Sequence, residues 1–249
     1  MKHVVITGAS AGIGLECARL FTQKGERVTL LARRLERLEE IQKELGESCS
    51  IFSLDITNKQ QVEKTFKMIE DIAPIDVLIN NAGAAFGLDP AQTAGLEDWD
   101  KCVDLNIKGL LYCTRATLPE MVKQNKGHII NLGSVAGSYP YPGGNVYGAT
   151  KAFVQQFSLN LRADLLGTSL RVSCIEPGIV AETEFSEVRF KGDLERAQKV
   201  YYKTTALKPN DIAEIIFFCV NAPAHVNVNT LEVMPVCQAF NPLAIYREA

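Results

Sequence analysis

Short runs of consecutive apolar, often β-branched residues punctuate this chain, and between them apolar positions recur every three or four residues. Val4–Thr7, Arg27–Ala32, Ser50–Leu54, Val77–Asn80, His128–Leu132, Leu170–Ile175 and Thr230–Met234 read as strands. Gly14–Lys24, Leu35–Leu45, Gln60–Ile72, Glu97–Val122, Tyr147–Leu166 and Asp211–Val220 read as amphipathic helices. Continuous apolar strands are buried on both faces, and their alternation with helices predicts parallel strands joined by crossover helices. The expected architecture is α/β: a doubly wound parallel sheet of seven strands with helices on both sides. No repeat or low-complexity linker divides residues 1–249, so a single domain is expected.

The first strand runs into Thr7-Gly8-Ala9-Ser10-Ala11-Gly12-Ile13-Gly14 and then a helix. Glycines let a backbone turn tightly and approach a pyrophosphate, and a helix N-terminus offers amide donors. The spacing is Gly-x3-Gly-x-Gly rather than the more familiar Gly-x-Gly-x-x-Gly. A dinucleotide-binding fold that takes NAD places an acid at the end of the second strand for the ribose 2′-hydroxyl. Here that place holds Arg33-Arg34. Two guanidiniums suit a 2′-phosphate, which favours NADP over a mere charged start to the next helix. Asp55-Ile56 closes the third strand, where the aspartate can reach an adenine or cap the following helix. Asn80-Asn81-Ala82-Gly83 closes the fourth, with small residues beside which a cofactor can pass.

Tyr147 and Lys151 stand four residues apart, on one helix face, with Ser134 thirteen residues before the tyrosine. An ammonium beside a phenol favours the phenolate and predicts a tyrosine pKa below its usual ~10. That is the chemistry of a general acid/base, and a serine hydroxyl aimed at the same point would hold a substrate oxygen. The Tyr-x3-Lys spacing alone is weak, occurring by chance in about one chain in three of this length at average composition. Its context has to raise it.

Composition narrows the picture. The net charge is −3, with 26 basic and 29 acidic residues interspersed, and nothing suits nucleic acid or an anionic membrane. The apolar run Ile215–Val220 is far too short to span a bilayer, and after Met1-Lys2-His3 the chain enters the first strand without a leader-like stretch. Seven scattered cysteines without a Cys-x-x-Cys predict reduced, mainly buried thiols, no metal site and a cytoplasmic setting. The three histidines are unclustered and read as structural.

Taken in order, Thr7-Gly8-x3-Gly12-x-Gly14, Asn80-Asn81-Ala82-Gly83, Asn106, Ser134, Tyr147-x3-Lys151 and Pro177-Gly178 resemble the classical short-chain dehydrogenase/reductase family over essentially the full length. The segments 127–138, 143–153, 183–192 and 224–235 look like its bacterial NADP-dependent 3-hydroxy acid dehydrogenases, which act on serine, L-allo-threonine and malonic semialdehyde. The resemblance implies a single-domain Rossmann fold and an NADP-dependent oxidoreductase. It implies Tyr147 as acid/base, Lys151 as tuner of Tyr147 and holder of the nicotinamide ribose, and Ser134 as stabiliser of the substrate oxygen. Asn106 is implied to position a water that joins Lys151 to solvent. Gly8, Ser10, Ala11, Gly12, Ile13 and Gly14 are implied to hold the pyrophosphate, and Asn81, Ala82 and Gly83 to lie along the adenosine ribose. Pro177, Gly178, Ile179, Val180 and residues to Thr183 are implied to embrace the nicotinamide. A homotetramer built on the two long helices and on the tail 237–249 is also implied.

The segment 183–205, rich in charge and aromatics with Gly192 as hinge, reads as a substrate lid. A small hydroxy acid needs a cation for its carboxylate, for which Arg189 and then Lys191 are candidates, unless both are solvated lid charges. Rival readings within the family are a 3-ketoacyl-carrier-protein reductase and a sugar or steroid dehydrogenase. Outside it stand a non-catalytic NADPH sensor, which usually lacks the tyrosine or lysine, and an epimerase or dehydratase of the extended branch. A serine hydrolase is disfavoured because Gly133-Ser134-x-x-Gly137 is not a Gly-x-Ser-x-Gly elbow.

Overall fold

The structure is a computed structural model that describes residues 1–240. Seven parallel strands form one sheet in the order β3-β2-β1-β4-β5-β6-β7. They are β1 (His3–Thr7), β2 (Arg27–Ala32), β3 (Cys49–Ser53), β4 (Val77–Asn80), β5 (His128–Leu132), β6 (Arg171–Pro177) and β7 (Thr230–Val233). The order reverses between β1 and β4, and at such a switch point the loops leaving the two strands diverge and open a crevice at their carboxyl ends.

Period-two alternation divides the core. Val4 and Ile6 of β1 face one layer, made with Cys17, Ala18 and Phe21 of α1 (Gly12–Gln23), Leu38 of α2 (Leu35–Leu45) and Ile212 and Ile216 of α9 (Pro209–Asn221). Val5 faces the other, with Val62 and Phe66 of α3 (Lys59–Ile72), Cys113 and Met121 of α5 (Leu110–Gln124) and Leu161 of α6 (Asn145–Asp164). Every residue of β1, β4 and β5 is buried, as uninterrupted apolar runs require.

Most boundaries fall within two residues of expectation, and a few differences are instructive. The expected helix Glu97–Val122 is three segments: α4 (Leu96–Val103), a π-helical turn (Asp104–Gly109) and α5. A one-residue insertion shifts the apolar stripe within a single turn, too short a break to read in the sequence. The helix expected from Asp211 starts at Pro209, a ring suited to a first turn, with the Asp211 carboxylate accepting the Lys208 N–H at 2.8 Å. α1 starts at Gly12 rather than Gly14, and β6 runs on to Pro177. The expected lid contains two short helices, α7 (Phe185–Arg189) and α8 (Leu194–Lys199), separated by Gly192 at φ +90°. The tail expected to join subunits lies, for residues 241–249, outside the described residues.

All seven cysteines are free thiols, and only Cys237 is exposed. Burial pushes the Cys49 and Cys219 thiols up to about 11, as inert core thiols should be. Among the described residues no cluster of His, Cys, Asp or Glu is arranged to hold a metal, and no helix is long and apolar enough to cross a membrane.

His128, at the start of β5, is buried, bonds Ser173 Oγ through Nε2 at 2.9 Å and leaves Nδ1 unpartnered. Burial, with Arg171 nearby, holds its pKa down to about 3. The native state therefore keeps the ring neutral where the unfolded chain protonates it. Its contribution to stability is complete above about pH 6.5 and falls by about 1.4 kcal/mol per pH unit toward pH 3. Urea unfolding between pH 7 and 4 should show a shallower acid slope for His128→Gln than for the parent.

Candidate active site

The carboxyl ends of β1, β2, β4, β5 and β6 open onto a cleft of about 960 Å³. Of the candidate residues, Gly8, Ser10, Ala11, Gly12, Ile13, Arg33, Arg34, Asp55, Ile56, Asn81, Ala82 and Gly83 line its nucleotide end. Ser134, Tyr147, Lys151, Pro177, Gly178, Ile179, Val180, Thr183 and Arg189 line the remainder. Gly14 and Asn106 stand behind the wall, and Lys191 is elsewhere.

Sterics and a few buried bonds fix the nucleotide end. Gly8 has φ +65°, and a Cβ there would stand 2.8 Å from Ala82 Cα. Gly14 backs the loop: its Cβ would fall 2.5 Å from the Gly8 carbonyl oxygen. Asn81 lines the nucleotide end and also has a structural task. Its amide donates to the carbonyls of Thr7 and Gly8 at 2.9 and 3.1 Å, so it buttresses the glycine loop. Thr7 was not foreseen as more than a motif letter. Its hydroxyl accepts from the N–H groups of Asn81 and Ala82 at 3.1 and 3.0 Å, sewing β1 to the end of β4. Asp55 accepts from Thr57 N–H and Oγ1 at 3.0 and 2.8 Å, a local turn, while Asn58 caps α3.

Arg33 and Arg34 sit where β2 ends, on the same cleft wall as Ser10. The glycine loop, with its backbone close to Ala82, and two guanidiniums at the adenosine end together fit a dinucleotide bearing a 2′-phosphate.

At the other end, α6 carries Tyr147 and Lys151 into the cleft. Lys151 is buried, and its Nζ donates to the Leu132 carbonyl at the end of β5 at 2.6 Å. Burial pulls its pKa down to about 8. The Nζ lies 5.9 Å from the centre of the Tyr147 ring. The sequence predicted that Lys151 would depress the phenol, but desolvation pushes Tyr147 above its ordinary value. The groups pulling it back are Ser134 and Arg189, whose guanidinium carbon lies 5.9 Å from the ring centre. Lys151 Nζ is engaged by the Leu132 carbonyl. Ser134 Oγ accepts the Ala136 N–H at 3.1 Å and faces the Pro177 carbonyl at 3.4 Å, which sets the hydroxyl at the mouth of a short 3₁₀ turn.

Asn106 lies in the π turn, a common device for re-aiming one side chain at a functional site. Its Oδ1 accepts the Ala84 N–H, and its Nδ2 donates to the Ala84 carbonyl, each at 2.9 Å, and to Thr150 Oγ1 at 3.0 Å. A Cβ on Gly83 would be 3.1 Å from Asn106 Oδ1 and 3.4 Å from Lys151 Nζ, so the three residues meet at one point.

Of the two candidate lid cations, only Arg189 reaches the cleft. Its Nε donates to the Gly87 carbonyl at 3.2 Å and its Nη2 to Tyr141 Oη at 2.8 Å, placing the guanidinium between two tyrosines. Lys191 instead pairs with Asp98 at 2.8 Å and fastens the lid to α4. Tyr141 and Phe185, whose ring centre is 5.5 Å from that of Tyr147, were not foreseen. Nothing in their local sequence distinguishes them from other loop aromatics.

Asn106→Ala would strand the buried Ala84 N–H and leave its carbonyl only a weak 3.7 Å contact from the Cys102 thiol. We expect a loss of about 1–3 kcal/mol in urea unfolding, and unchanged stability would show that water replaces the amide.

A short chain dehydrogenase family profile matches residues 2–193. An NADP-dependent 3-hydroxy acid dehydrogenase of Salmonella typhi is 55% identical over 245 residues, covering 98% of this chain and 99% of that one. A serine 3-dehydrogenase of Agrobacterium fabrum is 46% identical, covering 99% and 98%. Among solved structures, the closed form of serine dehydrogenase complexed with NADP+ superposes with a TM-score of 0.97 at 53% identity, covering 99% of this chain and 100% of that one.

Proposed function

The chain belongs to the short-chain dehydrogenase family, and we propose that it is an NADP-dependent oxidoreductase interconverting a 3-hydroxy acid and its 3-oxo acid. The observation that carries this reading is Arg189. A guanidinium stands over the ring of the prospective acid/base, in a cleft whose far end is lined by Arg33 and Arg34. A cation 5.9 Å from the centre of that ring suits a substrate whose carboxylate lies a few atoms from its hydroxyl. Small 3-hydroxy acids such as serine, L-allo-threonine and 3-hydroxypropionate have that shape. Relatives of this length and identity that bear such activities in their names support the same reading.

In the oxidising direction Tyr147, as phenolate, takes the hydroxyl proton, and Ser134 Oγ steadies the substrate oxygen. Arg189 holds the carboxylate and opposes charge build-up on the substrate. Lys151 presents a cation at the nicotinamide-ribose end, held by the Leu132 carbonyl. The nicotinamide supplies the hydride acceptor, and the protein supplies placement and proton traffic. In reverse, the Tyr147 phenol donates the proton to the carbonyl oxygen. Because burial favours the phenol, oxidation should accelerate as pH rises from 7 to 10, while reduction should not.

A homotetramer is proposed with it. Val122 of α5 and Leu159 of α6 expose apolar surface on the helices concerned, and light scattering should return about four times the 27.4 kDa chain.

Absorbance at the nicotinamide band with NADP and L-serine, L-allo-threonine, 3-hydroxypropionate and 3-hydroxyisobutyrate tests the substrate class, and no turnover of any would refute it. Tyr147→Phe should bind NADPH normally and lose about 10²–10⁴ in kcat. Arg189→Ala should raise KM for the hydroxy acids by about 10- to 100-fold, the worth of a charged hydrogen bond. An unchanged KM and kcat would remove Arg189 from the substrate site.

A further inference from the structure

A further charged group at the adenosine end of the cleft comes from the lid. Glu184, the residue before α7, takes both terminal nitrogens of Arg34: Nη1 to Oε1 at 3.0 Å and Nη2 to Oε2 at 2.7 Å. Arg34 Nη2 also donates to Ser10 Oγ at 3.0 Å. Three segments distant in sequence thus converge: the glycine loop, the end of β2 and the start of the lid.

The strap that delivers Glu184 is built rather than loose. Ala181 N–H donates to the Leu207 carbonyl at 2.8 Å, and Leu207 N–H to the Ile179 carbonyl at 3.1 Å. Glu182 turns the chain at φ +56° and pairs with Lys208 at 3.0 Å. Thr183 then lies over the glycine loop, its Cγ2 3.2 Å from where a Cβ on Gly12 would be. The carboxylate is therefore aimed at Arg34 by a fixed backbone.

A phosphate dianion would seek the same two-nitrogen edge of the guanidinium. A carboxylate and a phosphate cannot both hold that edge, and each repels the other. We infer that Glu184 competes with the cofactor's 2′-phosphate for Arg34 and so sets how strongly the enzyme prefers NADP to NAD. The inference rests on the reading of Arg34 as a 2′-phosphate ligand. A 2′-hydroxyl leaves the Arg34–Glu184 pair intact, whereas a 2′-phosphate must displace the lid carboxylate. Glu184 then narrows the NADP margin that Arg33 and Arg34 create. NAD-binding folds place an acid at the end of the second strand, and here an acid reaches the same place from the lid.

Binding of NADPH and of NADH, followed by nicotinamide fluorescence, tests this in the parent, Glu184→Gln, Arg34→Ala and the double variant. The pair is 45% and 40% exposed, so the competition is moderate. Glu184→Gln should tighten NADPH by about three- to tenfold, the scale of an exposed ion pair plus a nearby repulsion, and leave NADH within about twofold. In the Arg34→Ala background the same change should shift NADPH less than about twofold, since a lost partner removes the coupling. If Arg34→Ala leaves NADPH binding unchanged, the 2′-phosphate reading fails and takes the inference with it. If Arg34→Ala weakens NADPH while Glu184→Gln leaves the NADPH-to-NADH ratio unchanged or lower, the inference alone is overturned. Equal weakening of both cofactors would make Glu184 a lid fastener and would likewise overturn it.

Discussion

Placing a lysine ammonium out of water is the constraint around which this molecule is arranged. Lys151 needs acceptors it can reach and pays for burial in a pKa of about 8. The Leu132 carbonyl is available because β5 ends there, with the backbone turning away into Gly133 and Ser134. Gly83, at the end of β4, has no side chain to block the nitrogen. Asn106 reaches the same point because the π turn rotates it off the regular helix face. A strand end supplies the acceptor for this nitrogen, and a glycine leaves room beside it.

Buried polar groups in the layer beneath hold these pieces in register. Asn80 Nδ2 donates to Asn131 Oδ1 at 2.9 Å and to Thr114 Oγ1 at 3.0 Å, and Asn131 Nδ2 donates to Ser158 Oγ at 2.9 Å. These bonds tie β4, β5, α5 and α6 together through groups that would each be costly to strand. An apolar core would tolerate a small slide of α6 against the sheet, but this network tolerates little. Tyr147 and Lys151 ride on that helix.

The fold was legible because its cause is local. Uninterrupted apolar strands and amphipathic helices each announce themselves within a dozen residues, and their alternation leaves few topologies. The glycine loop, the arginine pair and the Tyr–Lys spacing were equally open, and the structure brings them to one cleft. What the sequence hid is pairwise and distant. Nothing local shows that the Asn81 amide bends back to Thr7 and Gly8. Lys191 stands second to Arg189 as a candidate in the sequence, and its pairing with Asp98 is invisible there. The direction of the Tyr147 shift depends on desolvation against Arg189, neither of which can be counted along a chain. The Arg34–Glu184 contact joins residues 150 positions apart.

Thr7 has a consequence for the order in which the molecule assembles. Its hydroxyl is satisfied by Asn81 and Ala82, and the β1–β4 register spans more than seventy residues. β2 can pair with β1 early and take the Ala9 N–H on the Leu31 carbonyl, yet the Thr7 and Gly8 carbonyls lack the Asn81 amide until β4 arrives. Loop closure over that distance must precede the bonds that reward it. During synthesis from the N-terminus, a chain shorter than about its first third holds the glycine-loop sequence without the shape. The full set of bonds behind the glycine loop needs the fourth strand beside the first.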